Sequence, residues 1–241
     1  MHQRAAGGIM SPTSGIIENL QKELGSIVLP DVEFPTVVPD SIENVVKVVN
    51  WCRVNSWRML IAGRGHTFSE DHHVPDGVLT VLTLKRNRMT EANPADLAIE
   101  METGMSVDVV REVVEQAGLI LERWPEDYPG TVGGLLCGSR GTEYRGMLLG
   151  STFVDGTGRI LSLGGAIRKD VSGFDASSVL LGSRGAIAWL DRVVLRLKPD
   201  SSAPVERVSF PPSTLPKEFS GLHRQIAAAF DPDDVFFKPK G

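Results

Sequence analysis

Apolar residues fall at helical spacing from Ile42 through Val45, Val46 and Val49 to Cys52, so the stretch "PTVVPDSIENVVKVVNWCRVNS", opening at Pro35, predicts an amphipathic helix. Asp40 and Glu43 have the spacing of a capping box ahead of it. Trp57 to Ala62 then reads as a short buried strand, Gly63 to Asp76 as a loop, Val78 to Leu84 as a second strand and Leu97 to Glu102 as a third. After Gly104 a second helix places Val107, Val110, Val114 and Ala117 on one face, with Gly118 set to end it. The Pro/Gly-rich "WPEDYPGTVGG" leads into a second half in which Ser151 to Val154 and Arg159 to Leu163 flank "DGTG", a hairpin turn. In "AWLDRVVLRLKP" the apolar positions Leu190, Val193, Val194, Leu195 and Leu197 make a last strand, whose pairing Pro199 is expected to stop. Prolines punctuate the chain from Pro199 to Gly221 as they would a linker, "LHRQIAAAF" follows as a short helix, and the small, polar residues before Ile16 predict a poorly ordered start. Strands and helices mix irregularly, without internal repeat, which points to an α+β fold.

Composition narrows the function. With 241 residues and 41% hydrophobic content the chain is long enough to bury a substantial core. The 25 basic and 30 acidic residues give a net charge of -5, which argues against nucleic acid as a partner. Cys52 and Cys137 are far apart, suggesting neither a disulfide framework nor a zinc site, and a reducing, cytoplasmic setting fits them. No apolar run approaches a membrane span and no secretory leader is recognisable at the start. Cys52 lies on the apolar face of the first helix and reads as packing.

The stretch "IAGRGHTFSED", Ile61 to Asp71, carries the chemistry. In Gly63-Arg64-Gly65 the glycines let successive backbone N–H groups point into one concavity, which suits an anion such as a pyrophosphate. Arg64 adds charge and Thr67 a hydroxyl. A plain turn from strand to loop explains the same residues. The pattern is neither a dinucleotide-binding Gly-x-Gly-x-x-Gly nor a P-loop. His72 and His73 lack carboxylates at ligand spacing and read as solvent-facing, so no metal is expected. Glu122 and Asp127 are close in sequence, as an acid pair would be, but read equally as surface carboxylates. "GSRG" at Ser183 has the composition of a second anion cradle.

"GRGHTFS", "DYPGTVGG", "FVDGTGRIL" and "RKDVSGFDASSVLLGSRGAIAWLDRVVLRLKP" occur in the order found in the flavin-binding domain of the vanillyl-alcohol oxidase and para-cresol methylhydroxylase (PCMH) superfamily, which this chain resembles. The stretch from Arg168 to Pro199, with "FDPDDVFFKP", is most similar to the FAD-binding subunit of glycolate oxidase, and "GRGHT" resembles cytokinin dehydrogenases and alditol oxidases. The resemblance implies a two-subdomain PCMH-type FAD-binding fold: an N-terminal extension over 1–30, subdomains over 31–104 and 105–200, and a short linker with a C-terminal helix and tail over 201–241. It implies FAD as cofactor. Gly63, Arg64, Gly65, His66 and Thr67 would wrap the pyrophosphate, Thr131, Gly133 and Gly134 would close over it, Cys137 and Gly141 would line the next positions, and Leu190 would border the adenine. Relatives with Gly-x-Gly-His-Ser/Thr bond this histidine to the flavin 8α-methyl group, whereas the glycolate oxidase subunit generally lacks it, so His66 is either a covalent anchor or an ordinary loop histidine. Asp127 and Tyr128 match an Asp-Tyr pair near the flavin, one residue out of spacing, and are the catalytic acid/base candidates. "GSRG" becomes a turn joining an Asp175 to Leu181 helix to the last strand.

Such enzymes place a substrate cap where this chain has about twenty residues, so the cap is expected to be largely absent and the flavin face open unless a partner subunit covers it. Three functions stay open: an FAD-dependent oxidoreductase that oxidises a small hydroxy acid or alcohol by hydride transfer, a non-catalytic FAD-binding subunit of a larger dehydrogenase, and a degenerate domain. Ala186 and Ala188, standing where relatives often have threonine and glycine, leave room for the last.

Overall fold

The computed structural model describes residues 12–30, 32, 34–65, 74–90, 92, 95–164, 176–200 and 221–238. His66, Thr67, His72, His73 and Asp175 lie outside the described residues. In chain order the elements are α1 (Pro12–Leu24), β1 (Thr36–Val37), α2 (Ile42–Asn55), β2 (Arg58–Ala62), β3 (Val78–Leu82), β4 (Ala98–Glu102), α3 (Val107–Gln116), β5 (Leu119–Ile120), α4 (Val132–Cys137), β6 (Leu148–Val154), β7 (Ile160–Gly164), β8 (Trp189–Arg196), β9 (Lys198–Pro199) and α5 (Gly221–Phe230).

The first layer is a parallel sheet in the order β1-β3-β2, with Met59 opposite Leu79 and Ala62 opposite Leu82. Its core joins Leu20 and Leu24 of α1, Val45, Val48, Val49 and Cys52 of α2, and Met59, Leu79 and Val81 of the strands. Valine lowers helix propensity by at most about 0.7 kcal/mol per residue. Burying each of these side chains contributes about 1.5–3 kcal/mol, so tertiary burial decides in favour of helix for the valine-rich α2. Burial also pushes the Cys52 thiol up to about 12, as expected of a packing residue. The last described residues complete this layer. Met59 N donates to Val235 O at 2.6 Å and Phe237 N to Met59 O at 2.7 Å, extending the β2 edge.

Several boundaries differ from the sequence expectation. Ser41, not Asp40, caps α2: its Oγ accepts from Asn44 N at 3.2 Å, while Asp40 accepts from the Asn44 side chain at 2.7 Å. α1 begins at Pro12, ahead of Ile16, and Leu20 and Leu24 tie it to the core. Pro199 does not stop the pairing. It faces Leu119 in the antiparallel β5-β9 pair, a two-stranded edge position that tolerates a missing N–H. The helix expected up to Leu181 is a 3-10 turn over Ala176–Leu180.

The second layer is an antiparallel sheet in the order β4-β8-β6-β7, built from residues far apart in sequence. Its core includes Ile99 and Met101 of β4, Val110 and Val114 of α3, Leu135 and Leu136 of α4, and Phe153 and Val193. The "DGTG" turn joins β6 to β7 as the sequence predicts. Asp155 fixes it: Oδ1 accepts from the Thr157 N–H at 2.9 Å, the Thr157 hydroxyl at 2.6 Å and Arg159 N at 3.0 Å, and Oδ2 from Arg159 Nε at 2.8 Å. Burial alone would raise this carboxyl, but the bonds from Thr157 and Arg159 outweigh it and hold the group below its ordinary value. A depressed carboxylate stabilises the fold above its unfolded value and loses that contribution as pH falls through the folded one. Asp155→Asn is therefore expected to lose about 1–3 kcal/mol at neutral pH, with the difference from the parent shrinking in acid. Urea midpoints of both proteins across that range check it.

The two layers meet at a buried ionic cluster. Arg86, in the loop after β3, donates from Nε and Nη2 to both oxygens of Asp191 in β8 at 3.0 and 2.7 Å, and its Nη1 lies 2.8 Å from Glu102 Oε1 in β4. Arg88 N donates to Glu102 Oε2, and the Trp189 indole N–H donates to Asp191 Oδ1, which it shares with Arg86 Nε. The Arg86 and Glu102 side chains are 5% exposed and that of Asp191 1%, so the cluster locks the exit of the first sheet onto the second.

Candidate functional site

β2 ends at Ala62, whose carbonyl accepts from Thr83 N, and the chain turns away through Gly63, Arg64 and Gly65. Arg64 is exposed and Gly65 adopts φ 81°. The amides of these three residues donate to no described residue. Opposite them stands the loop entering α4. A Cβ on Gly63 would lie 2.6 Å from Thr131 Oγ1, so only glycine lets the two loops approach this closely. Thr131 caps α4 by accepting from Gly134 N at 3.1 Å. Gly133 N donates to Thr103 O at 2.7 Å, and the Thr103 hydroxyl to Leu190 O at 2.6 Å, which links Gly133 to β8. The amides of Gly133 and Gly134 are thus engaged within the protein, and what these glycines offer a ligand is close approach. Amides that bond to no described residue on one side, and on the other glycines that permit close approach beside Thr131 and Tyr128, suit the diphosphate of a dinucleotide.

Tyr128 is half-buried, with its ring over Gly130 and its hydroxyl 3.2 Å from the place a Gly134 Cβ would take. Burial first, and then the neighbouring Cys137 thiol, raise its pKa, so it keeps its proton at neutral pH and serves as a donor. Asp127 is exposed on the same loop. Burial pushes the half-buried Cys137 up to about 12, against the pull of Ser183 and the Gly185 backbone, which makes it a poor nucleophile.

The structure thus brings Gly63, Arg64, Gly65, Tyr128, Thr131, Gly133, Gly134 and Cys137 into one neighbourhood. Gly141 and Leu190 are buried beside it. Gly141 N donates to Gly138 O, and a Cβ on Gly141 would fall 1.7 Å from Leu136 O, so its position is dictated by packing. Leu190 is 6% exposed in the core of the second sheet. Sequence reasoning missed Thr103, whose place in "ETGMS" carries no motif. A surface cleft of about 540 Å³ between Arg53, Arg58, Asp233 and Asp234 holds none of the predicted site residues. Among the described residues there is no cluster of metal-ligating side chains and no helix long and apolar enough to cross a membrane.

Residues 35–164 match the family of FAD binding domains, more than half of the chain. The chain is 28% identical over 172 residues to D-2-hydroxyglutarate dehydrogenase of Xanthomonas citri pv. viticola, covering 66% of this chain and 36% of that protein. It is 29% identical over 116 residues to glycolate oxidase subunit GlcE of Escherichia coli, covering 44% of this chain and 33% of that one. Among solved structures, alkyldihydroxyacetonephosphate synthase superposes with a TM-score of 0.56 at 16% identity, covering 71% of this chain and 33% of that one, a likeness of fold. The chain spans about a third of the length of these relatives.

Proposed function

This chain belongs to the FAD binding domain family, and from that membership we propose that it works as an FAD-dependent oxidoreductase, or the flavin-carrying part of one, acting on a small hydroxy acid or alcohol. FAD is its cofactor, and two relatives from Mycobacterium tuberculosis are named as FAD-linked oxidoreductases. The observation that carries the reading is the facing pair of loops, Gly63–Gly65 and Thr131–Gly134: the three amides of the first bond to no described residue, and its Gly63 lets the loops meet at the Thr131 side chain. Bound there, FAD supplies hydride acceptance and electron transfer. The chain's own residues do the rest. Gly63, Arg64 and Gly65, with His66 and Thr67 beyond the described residues, hold the diphosphate, and Thr131, Gly133 and Gly134 close against it. Cys137, Gly141 and Leu190 shape the wall behind them. Tyr128, protonated at neutral pH, donates a hydrogen bond toward the substrate side, while exposed Asp127 is the proton acceptor for the substrate hydroxyl.

The relatives named for D-2-hydroxyglutarate and glycolate support a 2-hydroxy acid as substrate class. The likeness to a protein named as an oxidase subunit favours a second reading, in which a partner subunit covers the flavin and completes the catalytic site.

Purified protein is expected to show flavin absorption, and acid precipitation separates the two roles of His66. Colour in the pellet marks a covalent bond, and colour in the supernatant excludes one. Anaerobic bleaching by a panel of 2-hydroxy acids tests the activity, and bleaching only after addition of a partner selects the subunit reading. Protein that is colourless and takes up no added FAD overturns both.

A further inference from the structure

Asp127 and Tyr128 lie in the segment Trp124 to Gly130, which α3 grips from one side. Val107 N donates to Gly130 O at 3.3 Å and the Trp124 indole N–H to Val107 O at 3.0 Å, which pins both ends. Trp124 is buried and packs edge-on against Tyr144, with ring centroids 6.2 Å apart, so that end is anchored in the core of the second sheet. Arg111, one turn further along α3, reaches the middle. Its Nη1 donates to Pro125 O at 3.1 Å and to Glu126 O, and its Nη2 lies 3.1 Å from Asp108 Oδ1.

The fork of a guanidinium serves two successive carbonyls and a carboxylate at once, which a single ammonium does not reproduce. The Arg111 and Asp108 side chains are 25% and 42% exposed, so their ion pair is weak and the grip resides in the carbonyl bonds. Glu126 O belongs to the rigid peptide plane that also contains the Asp127 nitrogen, and fixing it fixes how the chain enters Asp127. Little freedom remains after that. Tyr128 precedes Pro129, which confines it to extended backbone, and its ring lies so close to Gly130 that a Cβ there would meet Tyr128 Cε1 at 2.4 Å.

We infer that Arg111 is a positioning residue: by holding the carbonyls of Pro125 and Glu126 it sets the depth of the Tyr128 ring and the placement of Asp127 for proton transfer. The inference rests on the reading of Asp127 and Tyr128 as the acid and base of the reaction.

A spectroscopic test is available because Tyr128 and Tyr144 are the only 2 tyrosines. The Tyr144 hydroxyl has no partner among the described residues, so Tyr144→Phe gives a background in which phenolate absorbance reports Tyr128 alone. Burial first, and then the Cys137 thiol, hold Tyr128 above its ordinary value. Arg111→Gln is expected to let the ring move into water and to shift its titration down toward that value. Mere loss of a nearby cation gives the opposite sign, since it disfavours the phenolate. In the FAD-loaded protein, Arg111→Gln should slow anaerobic bleaching by hydroxy acid roughly 10- to 100-fold, with FAD content and KM little changed. Arg111→Lys should recover part of both effects, and Asp108→Asn should leave both near the parent. Circular dichroism controls for folding, and should Arg111→Gln fail to fold, Arg111→Lys read in the same way decides. A Tyr128 titration that stays in place or rises overturns the inference, as does an equal effect of Asp108→Asn. A shifted titration with unchanged bleaching overturns it too, leaving Arg111 a structural role, and so does loss of FAD in proportion to activity. A parent that carries FAD yet is bleached by no hydroxy acid removes the functional reading instead, and the titration still decides whether Arg111 holds the segment.

Discussion

Arg86→Met is expected to destabilise the protein by about 3–5 kcal/mol, because it leaves two buried carboxylates without their cation. Asp191 and Glu102 are 1% and 5% exposed, and each lies within 3 Å of the guanidinium, so neither water nor another described cation replaces it. The surface pair Arg192–Glu100 gives the contrast. Its side chains are 45% and 41% exposed, and Arg192→Met should cost no more than about 1 kcal/mol. Urea denaturation of the two variants at neutral pH measures the difference directly. A loss under 1 kcal/mol for Arg86→Met would mean that the clamp between the sheets is not electrostatic. The triple variant with Asp191→Asn and Glu102→Gln should regain part of the loss, since it removes the stranded charges.

Gly141→Ala is expected to cost about 3 kcal/mol or more in the flavin-free protein. The added methyl would fall 1.7 Å from Leu136 O and 2.6 Å from Gly182 N, both backbone atoms that cannot swing aside. A residue that merely lined the cofactor would leave the flavin-free protein as stable as the parent. Melting curves with and without FAD separate packing from cofactor contact: loss in both is the expected result, and loss confined to the FAD-bound protein would mean that Gly141 acts through the cofactor alone. Gly182→Ala, whose Cβ would meet its nearest atoms at an ordinary 3.6 Å, controls for strain, as it carries the penalty of φ 76° without the collision.

How much of this was legible in the sequence depends on the range of the forces involved. α2 and α3 could be read because their apolar residues repeat with the helix, and the β6–β7 hairpin because Asp155-Gly156 announces its turn. α4 could not, since Gly133 and Gly134 lie inside it and only the Thr131 cap and burial of Leu135 and Leu136 hold it helical. Pro199 misled because a proline at an edge pair looks, in one dimension, like a terminator. Arg86 sits in "LKRNR", a charge run typical of a solvated loop, and its partners are 16 and 105 residues away. At the site, the Gly63–Gly65 turn was legible from composition and the closeness of Thr131 only from a family resemblance. The "GSRG" turn read equally as an anion cradle or a plain connection, and only the fold shows its Ser183 hydroxyl and Arg184 Nη2 buried without a partner among the described residues.

The hydrogen bonds that Met59 exchanges with Val235 and Phe237 set a timetable for biosynthesis. The β2 edge waits for partners that the ribosome adds more than 170 residues later, on the order of ten seconds at ordinary elongation rates. The antiparallel sheet is made of residues 98–196 and is complete in the nascent chain before that edge is sealed. A ribosome that stalls short of residue 235 therefore displays a finished second half beside a first half with an open flank, the form in which chaperones and proteases would meet it.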